Sequence, residues 1–165
     1  MTRVSDDAIP EGAAGRLRDL FTLHAHELKR LAFLMTGDMP LAEDIAQEAF
    51  VRVAGRLGHL REPDRFTAYL RKTVINMVRD HYRRKPPQHV ATRPPDRDLD
   101  AEHDLRIAMA RLPHRQRAAL VLRYFVGLPD DETADLLGCR RATVRSLVAR
   151  GLEALKVQME VEANE

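Results

Sequence analysis

Residues 129–150, PDDETADLLGCRRATVRSLVAR, decide how the rest of the chain is read. Two short runs with apolar residues at helical spacing flank a Gly-Cys pair. Ala134 and Leu137 give the first run a packing face, and the small residue lets helices approach closely. Gly138 supplies a turn position free to take positive φ. Val144 and Leu147 bury the second run against the first. Arg140, Arg141, Thr143, Arg145 and Ser146 are then left on or near its exposed face and N-terminal end. These are the proportions of a helix-turn-helix, whose second helix enters the major groove with its N-terminal residues against base edges. Arg is also the commonest specific reader of guanine. An ordinary αα-hairpin with a charged skin has the same outline, so the motif must be weighed with the rest of the chain.

Working outward, the helical period continues on both sides. Leu105, Met109 and Leu112 suit a short helix, and Pro113 opens another that carries Ala118, Leu122 and Phe125 until Gly127 stops it. Further upstream stands KPPQHVATRPPDRDLD, with four prolines between Pro86 and Pro95. Proline removes backbone donors and disfavours helix in the residue before it, so this stretch reads as an extended, semi-flexible linker. Before it lie three helical patterns. Leu17, Leu20, Phe21, Leu28, Leu31, Leu34 and Met35 recur until Gly37; Leu41, Ile45, Ala49, Val53 and Leu57 follow at intervals of four; Phe66, Leu70, Val74, Met77 and Val78 lie between Asp64 and Arg84. Asp38 suits the N-cap of the second helix, with Pro40 in its first turn. No strand pattern and no internal repeat is visible. The expectation is an all-α fold of two small helical domains joined by the Pro-rich linker, the second containing the helix-turn-helix. Its divisions are a loose tail over 1–14, a first domain over 15–85, a linker over 86–103 and a second domain over 104–160.

Composition agrees. Of 165 residues, 32% are charged and 5% aromatic, with no Trp, which favours charged amphipathic helices over a sheet. Cys139 is the only cysteine, so an intramolecular disulfide and a multi-cysteine zinc site are both excluded. It stands at the turn of the helix-turn-helix, where a small buried residue is the simplest reading. With no apolar signal core at the N-terminus and no stretch of membrane-spanning length, a soluble cytoplasmic protein with no membrane partner is expected.

The overall net charge of +2 hides a strong sorting by segment. From Asp38 to Glu48 there are four acids and no Lys or Arg; from Arg71 to Lys85, six bases face one acid; from Gly138 to Lys156, five bases face one acid. Lys72, Asn76, Arg79 and Arg83 share one helix face opposite the apolar stripe. Such a cationic stripe is a footprint for a phosphate backbone, and Asn76 in its middle suits a base edge. Asp44, Gln47 and Glu48 share another face. An acidic surface there suits a basic protein partner better than DNA. Solvated surface is the plain alternative for both patches.

Taken together these segments resemble the extracytoplasmic-function group of the sigma-70 family. GDMPLAEDIAQEAFVRV is similar to the family's second domain, where an acidic helix grips the clamp helices of the largest RNA polymerase subunit. FTAYLRKTVINMVRDHYRRK is similar to the stretch that melts and reads the minus-ten element. RLPHRQRAALVLRYFVGLPDDETADLLGCRRATVRSLVARGLEAL resembles the fourth domain, which reads the minus-thirty-five element. The three cover about residues 17 to 157, in the family's order, without an intervening third domain. The resemblance implies polymerase docking by Asp44, Gln47 and Glu48. It implies minus-ten contacts by Lys72, Asn76, Arg79 and Arg83, and recognition-helix contacts by Arg140, Arg141, Thr143, Arg145 and Ser146. Core RNA polymerase and promoter DNA are the implied partners, an anti-sigma factor a further one, and no cofactor or metal is called for. It also routes the linker, with Asp96, Asp98 and Asp100, through the polymerase. Four positions depart from the family pattern: Pro129 where a Ser or Thr cap is usual, Thr133 where Ile packs, and Arg140 and Ala142 at the recognition helix. The usual Trp of the melting region is absent, and Tyr69 and Tyr82 are the nearby aromatics.

Two other readings compete with this one. A stand-alone helix-turn-helix regulator explains residues 129–150 but not the acidic docking face, and would normally dimerise on paired half-sites. An enzyme has little to build on. His24 and His26 are two apart and point in different directions on a helix, Glu27 adds no third ligand at the right spacing, and His103–Asp104 stands alone. No catalytic residue is assigned.

Overall fold

A computed structural model of the chain describes residues 11–56, 63–85 and 101–163. The segment before residue 11, Leu57 and the proline-rich stretch from Pro86 to Asp100 lie outside the described residues, as do the side chains of Leu17 and His103. Among the described residues there are seven α-helices and a π-helical turn, with no strand. In chain order they are α1 (Glu11–Thr36), α2 (Met39–Ala54), α3 (Pro63–Arg84), α4 (Ala101–Arg111), α5 (His114–Leu120), the π-helical turn (Val121–Val126), α6 (Asp130–Leu137) and α7 (Arg141–Ala163). Helix α1 thus begins within the expected tail. Likewise α4 takes in residues 101–103 that were expected in the linker, where Ala101 and Glu102 are good helix formers.

The first lobe is α1, α2 and α3 around Leu28, Leu31, Met35, Ile45, Ala49, Val53, Phe66, Leu70, Val74 and Val78, all buried. Helix α2 starts as its sequence expects. The Asp38 carboxylate accepts a hydrogen bond from the Leu41 amide at 3.1 Å, and Pro40 sits in the first turn. The second lobe packs α4 to α7 around Ala108, Leu112, Ala119, Leu120, Ala134, Val144, Leu147, Val148 and Leu155. Three residues expected in the apolar stripes are exposed, one of them Phe21 of α1 at 38%. Leu105 is 42% exposed near the start of α4. Phe125 is 40% exposed because the wider π-helical turn rotates it outward; its ring lies under the Arg30 guanidinium at 5.3 Å.

Helix α5 is shared between the lobes. Ala119 and Leu120 face the second core, while Ala118, followed by Val121 and Leu122 of the π-helical turn, enters the first. Arg117, only 5% exposed, fastens the junction. Its Nε donates to the Met35 carbonyl at 2.9 Å and its Nη2 to the Thr36 carbonyl at 2.9 Å, and Nη1 donates to the Ala110 carbonyl at 3.0 Å. A guanidinium therefore meets carbonyls that the end of α1 leaves unpaired, and its charge suits the negative end of the helix. Tyr82 Oη donates to the same Thr36 carbonyl at 3.0 Å. Gly37, with φ 70°, turns the chain directly beneath this cluster, where an added Cβ would sit 3.3 Å from Arg117 Nη1.

Candidate polymerase and nucleic-acid interfaces

The acidic face stands on α2. Ala42, Ile45, Ala46, Ala49 and Val53 bury one side, and Asp44, Gln47 and Glu48 are all exposed on the other. Glu48 accepts from Arg52 Nε at 2.7 Å, four residues on, which leaves its second oxygen open. One residue that sequence reasoning passed over joins this face. Val51 is 65% exposed, one turn beyond Gln47, an apolar group in solvent beside the acids. Its signal was its place off the buried 45-49-53 stripe.

Helix α3 carries the basic stripe. Lys72 and Arg83 are exposed, Asn76 and Arg79 half-buried. Asp80 lies within the stripe, 3.5 Å from Arg83 Nη2 and 3.9 Å from Arg79 Nε, and tempers its charge. Arg79 is further engaged by the second lobe, since its Nη1 donates to the Leu136 carbonyl of α6 at 3.0 Å. Asn76 lines a cavity of about 290 Å³ with Arg52, Arg56, Tyr69, Thr73 and Asp80. Tyr69 is fixed there by Arg56, whose Nη1 donates to its hydroxyl at 2.6 Å. An aromatic ring, an amide and cations at one half-open cavity are the groups that hold an unstacked base and its phosphate. Arg71 takes no part. It is ion-paired with Glu27 across α1 and α3.

In the second lobe α6, the turn and α7 form the expected helix-turn-helix. Gly138 adopts φ 61°, and the Cys139 amide closes the turn onto the Ala134 carbonyl at 3.0 Å. Val144 and Leu147 are buried. Arg140, Arg141, Arg145 and Ser146 are exposed, and Thr143 is half-buried. The Arg140 carbonyl accepts from the amides of Thr143 and Val144, so this residue opens α7 through its backbone. Ser146 Oγ is spent on the Ala142 carbonyl at 3.2 Å. Arg145 Nε donates to Asp130 Oδ2 at 3.1 Å, and Asp130 also binds Arg123. These cations hold the Asp130 carboxyl below its ordinary range, the Arg145 hydrogen bond contributing most. Neither Asp130 nor Arg123 was legible in the sequence, because the pairing depends on the angle between α6 and α7.

Two departures from the family pattern have visible consequences. Pro129 offers α6 no side-chain cap, and Asp130, Asp131 and Glu132 in the first turn compensate through the helix dipole. Thr133 is fully buried, with no partner for its Oγ1. Among the described residues no group of His, Cys, Asp and Glu could hold a metal ion, and no helix is long and apolar enough to cross a membrane. His24 rests on Phe66 and reaches Thr67 Oγ1 at 3.5 Å.

Known proteins place this geometry. The Sigma-70 region 2 family matches residues 20–86, and Sigma-70, region 4 matches residues 103–155. The chain is 31% identical over 163 residues to the RNA polymerase sigma-H factor of Pseudomonas aeruginosa, covering 85% of this chain and 84% of that one. It is 31% identical over 170 residues to the ECF RNA polymerase sigma factor SigE of Mycolicibacterium smegmatis, covering 94% of this chain and 66% of SigE. Among solved structures, the sigma factor RpoE of Bartonella quintana superposes with a TM-score of 0.65 at 20% identity, over 88% of this chain and 98% of that one. The extracytoplasmic function sigma factor SigJ of Mycobacterium tuberculosis gives 0.58 at 26% identity, over 84% of this chain and 52% of SigJ. A stand-alone regulator would account for the second match and leave the first, over the acidic and basic helices, without a reason. The chain belongs to the extracytoplasmic-function group of RNA polymerase sigma factors in the sigma-70 family.

Proposed function

We propose that α2 docks this chain on core RNA polymerase through Asp44, Gln47 and Glu48, with Val51 at the edge of the contact, and that α3 and α7 meet the promoter. One observation carries the docking surface. All three polar groups stand in solvent on a helix whose opposite face is buried, so none is needed for packing. Their charge suits a basic partner surface.

The polymerase supplies the chemistry, and this chain's part is to bind and position. Lys72, Arg79 and Arg83 hold phosphates of an opened strand. Asn76 takes a base edge beside the Tyr69 and Arg56 cavity. Helix α7 enters the major groove at the minus-thirty-five element with Arg140, Arg141, Thr143, Arg145 and Ser146. The two elements lie about 25 base pairs apart, roughly 85 Å of duplex at about 3.4 Å per pair. A compact chain of 165 residues has a radius of gyration of about 15 Å. The lobes must therefore part on the promoter, breaking the Arg117 contacts and releasing Arg79. Residues 86–100, fully extended, reach about 50 Å. RpoE of Bartonella quintana was crystallised with the anti-sigma factor NepR. A regulator of that class, holding the lobes together, is part of the proposal.

Binding to purified core RNA polymerase tests the docking face. The double variant Asp44→Arg, Glu48→Arg loses core affinity by about a hundredfold or more while its thermal unfolding is unchanged. Unaltered affinity in that variant would remove α2 from the interface.

A further inference from the structure

Helix α6 places one carboxylate against the recognition helix. Asp130 lies at its first position, with a side chain only 12% exposed, although it sits at the mouth of the helix-turn-helix. Its two oxygens serve different arginines. Oδ1 is held by Arg123 from the π-helical turn, and Oδ2 accepts from Arg145 Nε at 3.1 Å. Arg123 therefore fixes the carboxylate, and the carboxylate fixes the Arg145 side chain, which is otherwise 62% exposed on the recognition helix. The bond uses Nε, the inner nitrogen. Both terminal nitrogens of the guanidinium stay available, and these form the fork that matches the O6 and N7 of guanine. A long, exposed side chain ordinarily loses rotamer entropy when it binds a base, and one already held in a single arrangement loses less.

We propose that Asp130 is a positioning residue for promoter specificity, holding Arg145 in the orientation that reads one guanine of the minus-thirty-five element. The proposal rests on the reading of α7 as the minus-thirty-five recognition helix. Removing the carboxylate frees Arg145 to reach neighbouring phosphates as well as the base, so discrimination at one base pair falls while overall affinity is kept or rises slightly.

The test uses the full chain reconstituted with core RNA polymerase. Each holoenzyme selects from promoter duplexes randomised in one pool over the minus-thirty-five element and in another over the minus-ten element, and the enrichment of each base is counted. For the wild type one position shows a guanine preference that Arg145→Ala abolishes. Asp130→Asn lowers the preference at that same position by about fivefold or more and leaves the others, and the minus-ten preferences, unchanged. In the Arg145→Ala background Asp130→Asn has no further effect on selection. Unchanged preferences at the other minus-thirty-five positions and unchanged thermal unfolding report that the variant is folded. If Arg145→Ala alters no base preference, the reading of α7 fails. If it does but Asp130→Asn selects like wild type, the positioning role fails. A uniform gain of binding to every sequence, without loss at that position, would make Asp130 only a repeller of phosphate and overturn the proposal as well.

Discussion

Thr133 stands where the family packs an isoleucine, and the structure shows the consequence in one atom. Its Oγ1 is buried without a partner, a desolvation that costs about 1–3 kcal/mol for a neutral polar group. Thr133→Val keeps the shape and removes the hydroxyl, so urea unfolding should show a stability gain of about 1 kcal/mol. His114 makes a second single-residue case. Burial is the main reason its pKa lies below the ordinary 6.5, and Arg117 and Arg115 push it further down. The folded chain thus favours the neutral ring. Above pH 6.5 the ring is neutral in both states and adds no pH dependence; as pH falls below that value the unfolded chain takes up the proton first, and stability drops toward the lower, folded pKa. The difference between wild type and His114→Gln, followed by thermal unfolding from pH 7.5 to 5, isolates this loss. A constant difference across that range would contradict it. Arg117 belongs to the same cluster. Replacing it by Met removes the donors that meet the Met35 and Thr36 carbonyls, and should cost about 2 kcal/mol or more. Faster hydrogen exchange in the last turn of α1 and in α5 is the accompanying sign.

At the scale of elements, periodicity and caps made most of the fold legible. The 41-45-49-53 spacing and Asp38 define α2, and the stripe of Phe66, Leu70 and Val74 defines α3. Gly138 marks the turn, where its φ of 61° makes Gly138→Ala cost about 1 kcal/mol in thermal or urea unfolding. What remained hidden was set by angles between elements. A sequence shows that Arg145 is exposed on its helix, but not that α6 brings Asp130 within 3.1 Å of it. The π-helical turn was equally silent, because one extra residue per turn changes which side chain faces out without altering the residue types. Phe125 was misplaced for that reason. Arg117 was invisible because its partners are backbone carbonyls some eighty positions away, which no side-chain pattern records.

Across the whole molecule, order along the chain outweighs any single motif. The helix-turn-helix alone fits many regulators; an acidic helix, a basic helix and a proline-rich stretch ahead of it fit one kind of machine. The lobes share α5 and bury Arg117 between them, so the proposed parting of the lobes on a promoter has to undo one residue cluster. That arrangement holds Arg79 against α6 until the lobes part. Transcription in vitro on a pool of bacterial genomic fragments tests the central claim most directly, comparing core RNA polymerase alone, this chain alone, and the two together. The account predicts discrete start sites, with unpaired thymines reactive to permanganate at the minus-ten element, only when both are present. Sequence-specific binding of duplex DNA by the chain alone, with core initiation unchanged by its addition, would contradict it.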